Sequence, residues 1–219
     1  MRLVILPGVF RPISDTWLLA DALDAEALPP GARVLDVCSG SGALAVRAAL
    51  RGPRAVTAVD VSRRAVATIR LNAALNGVKV RAVRGDLLAA VRGERFDAIV
   101  SNPPYVPAPS DDLPTGGRER AWDAGRDGRA VLDRICEQAP DHLRPGGVLL
   151  IVHSSLLGYA RTAELLAAGG LEADLAAQER GPLGPLMNGR RAHLVSHGLL
   201  DPGQEEEDVL VVRGRAPNV

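Results

Sequence analysis

Short apolar runs, separated by polar or glycine-containing segments, recur along the chain. Runs of this kind are typical of strands buried on both faces of a sheet. Those before residue 155 are expected to form the main sheet, and two later runs are expected to close it. The predicted strands span residues 33–37, 55–59, 78–83, 96–101, 148–153, 171–178 and 209–213.

Between these runs, apolar residues recur at helical spacing. Ser14 is expected to cap the first helix and Ser62 the third, because a serine hydroxyl accepts from the free N–H groups of a first turn. Gly77 is expected to end the third helix in the left-handed conformation that glycine tolerates. After the first helix, the predicted helices span residues 40–51, 62–76, 129–142 and 159–168.

This alternation favours a parallel sheet, because parallel strands need crossover connections and helices provide them. The chain is thus predicted to be an α/β protein with helices on both faces of the sheet, in a single domain over residues 1–219. Within that domain we assign an N-terminal segment and helix to 1–30, a core to 31–155 and completion of the sheet to 156–219.

Three segments show neither the apolar runs of buried strands nor the helical spacing of apolar residues. Residues 106–127 are rich in proline, glycine and charge, which predicts a loop over the substrate rather than part of the core. Residues 181–189 are rich in glycine and proline, which predicts an excursion on the surface. The acidic run at 205–208 is interpreted as a solvated turn that keeps the last strand from mispairing.

The composition is that of an ordinary globular protein. The 219 residues include 26 basic and 26 acidic side chains, so the formal net charge is zero. A neutral chain lacks the positive field that attracts nucleic acid, and no basic groove is evident in the sequence. No apolar run approaches membrane-spanning length, and Cys38 and Cys136 suggest no disulfide framework. We therefore expect a cytoplasmic protein that does not act at a membrane.

The first chemical motif is the loop Asp36-Val-Cys-Ser-Gly-Ser-Gly42, between the first strand and its helix. Gly40 and Gly42 allow the backbone to approach a ligand, and the helix N-terminus offers unpaired N–H groups. The same spacing, with Ala45, also satisfies a dinucleotide fingerprint, and a tight turn without a ligand has this pattern too. Asp36 favours a cationic methionine moiety over a dinucleotide, since a carboxylate attracts an ammonium and repels a pyrophosphate.

Two more carboxylates follow the next two predicted strands. Asp60 ends the second strand, where a carboxylate can accept both hydrogen bonds of a ribose diol. Asp86 follows the third strand and can accept from an adenine amino group, while Val61 and Leu87 offer apolar faces to the ring. The carboxyl ends of strands form the ligand-binding edge of open α/β sheets, so the sequence predicts a nucleoside site there.

The fourth strand ends in Ser101-Asn-Pro-Pro-Tyr105. Pro103 and Pro104 lock an extended backbone, so that Asn102 and the Pro103 carbonyl can point acceptors at one spot. Such acceptors can hold both N–H groups of an amide or aromatic amine and aim the nitrogen lone pair at a methyl donor. Tyr105 can stack its ring on the flat group that is methylated. The motif predicts transfer of a methyl group to nitrogen.

With these motifs, the chain resembles the class I amino-methyltransferases, which implies a Rossmann-like fold with a mostly parallel seven-stranded sheet. Phe10-Arg-Pro-Ile-Ser-Asp-Thr16 and Trp122-Asp-Ala-Gly-Arg-Asp-Gly128 are similar to segments of the HemK/PrmC branch, and the likeness covers residues 8 to 155. The resemblance implies that the residues in contact with the cofactor or the target nitrogen are Thr16, Asp36, Gly40, Asp60, Asp86 and Asn102.

The sequence departs from that family in two respects. Cys38 stands in the cofactor loop where the family usually has glycine. Longer bacterial members carry an N-terminal helical domain that docks the release factor, and here the core begins almost at Met1. The short archaeal and eukaryotic members imply a small zinc-binding activator subunit as a partner.

Other histidines and arginines give weaker signals. His193 and His197 have helical i, i+4 spacing but lack a third ligand, so no metal site is expected. His153 ends the fifth strand at the ligand edge and is interpreted as packing behind the site. Arg118 and Arg120 are interpreted as part of a solvated loop rather than as a site for an acidic partner.

These observations predict an N-methyltransferase that uses S-adenosylmethionine and releases S-adenosylhomocysteine. The expected acceptor is a glutamine side chain of a protein, with a peptide-chain release factor as first choice. Within the class, the alternative is the N6 amine of adenine in DNA or RNA. From other classes, the alternatives are a dinucleotide-linked oxidoreductase and a cofactor-binding module without catalysis.

Overall fold

The computed structural model describes residues 1–52 and 55–218. Its strands are β1 (Arg33–Val37), β2 (Ala55–Asp60), β3 (Val80–Arg84), β4 (Phe96–Ser101), β5 (Leu143–Ser154), β6 (Glu172–Pro182) and β7 (Glu206–Arg215). Its helices are α1 (Ser14–Ala25), α2 (Ala43–Leu50), α3 (Arg63–Leu75), α4 (Leu132–His142), α5 (Tyr159–Ala168), α6 (Pro185–Gly189) and α7 (Arg191–Ser196).

The strands form one seven-stranded sheet in the order β3-β2-β1-β4-β5-β7-β6. Strands β1 to β5 are parallel, and β7 lies antiparallel between β5 and β6. The predicted Rossmann-like α/β class is therefore confirmed. The strand order reverses at β1, whose carboxyl end lies next to those of β2 and β4, and ligands bind at such a reversal.

Apolar side chains fill both faces of the sheet. Along β4, Ile99 packs on the face covered by α4, while Ala98 and Val100 pack on the face covered by α1 and α2. Leu23 and Ile135 lie in these two clusters and are fully buried or nearly so. Burial on both faces explains why the strands appear as continuous apolar runs rather than as alternating ones.

Helix ends agree with the sequence in two cases and differ in one. The Ser62 hydroxyl accepts from the Ala65 N–H at 3.3 Å, and Gly77 has φ 65°, as predicted. Ser14 does not cap α1: it is the first helical residue, and Ile13 precedes the helix without a side-chain cap. The Thr16 N–H, which a Ser14 cap could bind, donates to the Asp15 carboxylate instead.

The two predicted loops contribute to the core, which corrects the sequence interpretation. Val106 and Ala124 of the 106–127 segment are buried, and the Ala124 N–H donates to the Val106 carbonyl at 3.1 Å. Residues 181–189 hold the end of β6 and all of α6, with Leu183 and Met187 buried. Glycine and proline bend these segments, but the apolar residues between them still bury their side chains.

The acidic run at 205–208 is not a solvated turn, because β7 begins at Glu206. Successive strand residues point to opposite sides. Glu206 is exposed and pairs with Arg180, whereas Glu207 points inward and is only 9% exposed. The interpretation was wrong because every residue of the run is acidic, so the sequence shows no alternation of inward and outward side chains. Only the pairing of β7 with its neighbouring strand shows which side chains point inward.

His153 lies in a buried polar network behind β5. Its Nδ1 contacts the Ser154 carbonyl at 2.8 Å and must carry the proton, so Nε2 accepts from the Thr162 hydroxyl at 3.1 Å. The same hydroxyl accepts from buried Arg129 at 3.0 Å. Burial lowers the pKa of His153 to about 4. The histidine is thus packing, as expected, but it does not line the ligand edge.

This network predicts a loss of stability in acid. In the unfolded chain His153 takes up a proton below about pH 6.5, whereas in the folded chain it does so only near pH 4. The contribution of neutral His153 to the free energy of unfolding is therefore complete above pH 6.5 and is lost as the pH falls towards 4. The free energy of unfolding of the wild type, minus that of His153→Gln, should fall by up to about 1.4 kcal/mol per pH unit. Denaturant titrations across that range measure it, and parallel curves for the two proteins would contradict it.

Candidate active site

A cleft of about 1170 Å³ opens at the carboxyl ends of β1, β2 and β4. Three parts of the chain enclose it: the N-terminal segment 8–16, the turns that follow the strands, and a wall built from residues 113–123 and 184–187. Since parallel strands end at one edge, motifs far apart in sequence meet there. Most of the predicted site residues line this cleft.

Asp36 lies beneath the cofactor loop rather than on the cleft surface. It is fully buried, and its Oδ2 accepts from the Ser39 hydroxyl at 2.6 Å and from the Ala45 N–H at 3.1 Å. Its Oδ1 has no hydrogen-bond partner among the described residues. Burial raises the pKa of Asp36 to about 7. The carboxyl group thus orders the loop and keeps one oxygen available for a donor.

The two glycines of the loop have different roles. Gly40 lines the cleft at φ 53°, and its N–H donates to Asp60. Gly42 does not line the cleft: a Cβ there would lie 3.1 Å from the side chain of Ile69. Gly42 therefore allows α2 to approach α3. Cys38 lines the cleft with φ 58°, a left-handed value, and burial raises the pKa of its thiol.

Asp60 connects this loop to the turn after β2. Its Oδ2 accepts from the Gly40 N–H and its Oδ1 from the Ser62 N–H, each at 2.8 Å. Burial raises the pKa of Asp60. Each oxygen keeps a further lone pair, and Val61 beside it is 44% exposed. The carboxylate is therefore fixed by the backbone before any ligand arrives.

Asp86 and Leu87 lie on the cleft edge after β3. Leu87 is buried with φ 47°, and the exposed Asp86 accepts from Arg134 at 2.5 Å. No sequence pattern indicated this partner, which lies on α4 and also lines the cleft. The ion pair positions the Asp86 carboxylate at the adenine end predicted for the site.

At the other end of the cleft, the Asp15 carboxylate accepts hydrogen bonds from three donor groups, two on Thr16 and one on Tyr105. Its Oδ1 accepts from the Thr16 N–H at 2.5 Å and from the Thr16 hydroxyl at 3.2 Å. Its Oδ2 accepts from the Tyr105 hydroxyl at 2.9 Å, and the Thr16 hydroxyl accepts from the Asn102 amide at 3.0 Å. Asp15 and Thr16 are both buried.

This network fixes the orientation of the Asn102 amide. A threonine hydroxyl has one hydrogen, and here Asp15, which can only accept, takes it. The hydroxyl must therefore accept from Asn102 Nδ2, which leaves Asn102 Oδ1 as an acceptor. Pro103, Pro104 and Tyr105 line the cleft beside it. Burial first, and then the Asp15 charge, raise the pKa of Tyr105, so its hydroxyl stays a donor.

Sequence reasoning missed several cleft residues. Asp15 lies in the segment Phe10-Arg-Pro-Ile-Ser-Asp-Thr16 that carries the family resemblance, so a signal for it existed. Glu207 was hidden in the acidic run. Five arginines line the cleft mouth and make no salt bridge within residues 1–52 and 55–218, so the mouth carries a local cluster of positive charge. They are Arg63, Arg64, Arg84, Arg118 and Arg120.

Two further features concern metals and membranes. The His193 and His197 rings lie 4.1 Å apart, but no cluster of three metal-ligating side chains occurs among the described residues. Within the same part of the chain, every helix is too short or too polar to cross a membrane.

The fold and this cleft define a class I, Rossmann-like methyltransferase. The methyltransferase small domain family matches residues 1–114 of this chain. The chain belongs to that family and is an S-adenosylmethionine-dependent methyltransferase. The oxidoreductase alternative is thereby set aside.

Relatives and solved structures agree on this class. A protein of Methanocaldococcus jannaschii described as a putative protein N5-glutamine methyltransferase is 33% identical, over 85% of this chain and 93% of its own length. The release factor glutamine methyltransferase of Bordetella pertussis is 40% identical, over 80% and 69%. A structure of the E. cuniculi Mtq2–Trm112 complex, described as responsible for methylation of eRF1, matches with TM-score 0.64 and 25% identity, over 95% and 99%.

The strained backbone at Cys38 yields a prediction. A side chain at φ 58° costs about 1–2 kcal/mol relative to glycine, which roughly offsets the entropy that glycine adds to the unfolded chain. We expect Cys38→Gly to keep its melting temperature, its turnover and, within about 1 kcal/mol, its cofactor affinity.

Cys136→Gly is the matched control, because Cys136 is buried inside α4, where glycine weakens a helix and leaves a void. It should lose stability. Calorimetry and initial rates measure both variants, and an inactive, folded Cys38→Gly protein would assign the thiol a chemical role.

Proposed function

We propose that this chain methylates the side-chain amide nitrogen of a glutamine in a protein, with a peptide-chain release factor as the acceptor. The observation that carries the proposal is the Asn102 amide, held by Thr16 so that Oδ1 remains an acceptor. An amide nitrogen is a poor nucleophile, and fixed acceptors for its N–H groups orient it for attack. The names of the M. jannaschii and B. pertussis relatives agree with this acceptor.

The residues present fit S-adenosylmethionine. Asp36 Oδ1, buried without a partner, suits the cationic amino-acid end, and Asp60 suits the ribose diol. Val61 and Leu87 offer apolar surface to the adenine, and Asp86 an acceptor for its amine. Glycine at 40 leaves the backbone open to the ligand. When bound, the cofactor supplies an electrophilic methyl group on its sulfonium.

The chain's own residues then act on the acceptor. Asn102 Oδ1 and the Pro103 carbonyl accept the two N–H groups, and Tyr105 packs against the flat amide. Methyl transfer forms the nitrogen–carbon bond, leaves S-adenosylhomocysteine and releases one of these hydrogens as a proton to water, so no covalent enzyme intermediate is required. The 113–123 wall lines one side of the cleft.

We also infer a small activator subunit as a partner. The support is the E. cuniculi structure, which is a complex with Trm112 and of which the match covers 99% of the aligned chain. The two free cysteines, Cys38 and Cys136, are in keeping with a cytoplasmic complex of this kind.

Adenine in RNA or DNA is the second candidate acceptor. The specific observation in its favour is the group of five arginines without salt bridges at the cleft mouth, described above. Guanidinium groups bind phosphate well. Against it, the zero net charge provides no wider field, and the arginines lie at the mouth of the cleft rather than along a groove.

Asp36 makes cofactor binding depend on pH. With its pKa raised to about 7, Asp36 is protonated in the free protein below pH 7 and must lose that proton to bind a cation. Affinity for S-adenosylmethionine should therefore fall by up to about tenfold per pH unit below 7 and level off above it. Calorimetric titration on both sides of pH 7 measures this. In Asp36→Asn the dependence should vanish, and equal slopes in both proteins would contradict the assignment.

Asn102→Ala tests where methyl transfer occurs. The rate should fall roughly a hundredfold to a thousandfold, the usual effect of removing one oriented polar group. Affinity for S-adenosylmethionine should change much less, because its contacts come mainly from β1, β2 and β3. Asn188→Ala, at an exposed asparagine on α6, is the matched control and should behave as the wild type.

The acceptor is identified with labelled S-adenosylmethionine, a purified release factor and adenine-containing oligonucleotides in parallel. We expect label in the release factor, lost with Asn102→Ala, and little in duplex DNA at physiological salt. Label in the oligonucleotide and none in the release factor would favour the second candidate.

A further inference from the structure

Glu207 is a buried carboxylate in the cleft wall that the proposed reaction does not use. Its Oε1 accepts from the Gly184 N–H at 3.0 Å, and its Oε2 accepts from the Ser154 hydroxyl. It is only 9% exposed, yet it lines the cleft. The position joins the end of β5, the start of β7 and the turn before α6.

Glu207 has no cationic partner within residues 1–52 and 55–218, in contrast to its neighbour. Glu206 pairs with Arg180 on the outside of the sheet. Burial of a carboxylate costs free energy that two neutral donors offset only in part. A carboxylate accepts about four hydrogen bonds, and the protein supplies two to Glu207. The remaining lone pairs are available to a ligand in the cleft.

The location of Glu207 identifies which ligand it meets. Glu207 lies at the start of β7, which is two strands from β4 and four strands from β2 in the sheet. Because β7 is antiparallel to β5, its start lies at the carboxyl end of β5, on the side of the cleft where β4 carries Asn102 and Tyr105. Burial first, then Asp15 and then the Glu207 charge raise the pKa of Tyr105, in keeping with this position. Asp60 and Asp86 lie at the cofactor end. Leu186 and Met187, next to Gly184, add apolar surface on the same wall. An acceptor segment that enters the cleft beside Tyr105 therefore passes Glu207.

We propose that Glu207 is a substrate-binding residue that accepts hydrogen bonds from main-chain N–H groups flanking the methylated glutamine. This inference rests on the proposed function, because it takes the acceptor to be a peptide. Charged acceptors form the stronger hydrogen bonds of this type.

Glu207→Gln tests the inference, because it keeps the shape and replaces one acceptor oxygen by a donor. With the release factor as methyl acceptor, kcat/KM should fall about tenfold to a hundredfold, mainly through a higher KM. The Kd for S-adenosylmethionine and the melting temperature should stay at wild-type values. Calorimetric binding of the release factor, with S-adenosylhomocysteine present, should weaken to the same extent as KM rises.

Two controls separate binding from packing. Glu206→Gln changes the neighbouring exposed carboxylate and should leave all values unchanged. Ser154→Ala removes the internal partner of Glu207 but keeps its charge, so acceptor KM should change less than in Glu207→Gln. If Glu207→Gln does not fold, Glu207→Asp replaces it, because the shorter side chain draws the carboxylate back from the cleft and should also raise KM.

The outcomes are distinguishable. Methylation of the release factor by Glu207→Gln with wild-type kcat/KM overturns the inference and leaves the proposed function intact. Equal losses in Ser154→Ala and Glu207→Gln, with lower melting temperatures and weaker cofactor binding in both, also overturn it, because they assign Glu207 to packing. No methylation of the release factor by either the wild type or Glu206→Gln, with a Trm112 subunit present, overturns the proposed function, and the inference with it.

Discussion

The acceptor end of the cleft depends on the Asp15 carboxylate. Asp15 takes the only hydroxyl hydrogen of Thr16 and the hydrogen of Tyr105. The Thr16 hydroxyl can then only accept from Asn102, so the Asn102 amide has one orientation. The N-terminal segment thus sets the orientation of a group at the end of β4. A change at Asp15 should disturb Thr16, Asn102 and Tyr105 together, as in other shared hydrogen-bond networks.

The interior of the cleft is acidic and its mouth is basic. Asp15, Asp36, Asp60 and Glu207 line the cleft or lie beneath it, and the described residues offer none of them a salt bridge. Backbone N–H and hydroxyl donors that are already in place offset part of the cost of burying these carboxylates. Such an interior favours a ligand that is cationic or rich in N–H groups. A sulfonium cofactor with a free ammonium and an amide acceptor both fit, and a pyrophosphate does not.

Local patterns predicted the sheet, the cofactor loop and Asn102–Tyr105, because each depends on residues close in sequence. The sequence could not reveal Arg134 beside Asp86, which lies 48 positions away, since only the packing of α4 brings them together. Gly42 fitted the ligand motif, yet its neighbour is Ile69 of α3. The Glu207 side chain points inward because of the register of β7, and a run of acidic residues does not indicate that register.

The proposed function requires that the methylated nitrogen is the side-chain amide of a glutamine in a protein. Fragment-ion mass spectrometry of a release factor, after incubation with this enzyme and S-adenosylmethionine, locates the methyl group. We expect a mass increase of one methylene group, confined to the side chain of a single glutamine and absent with Asn102→Ala. A methyl group on the main chain, on another residue type or only on nucleic acid in the same reaction would contradict it.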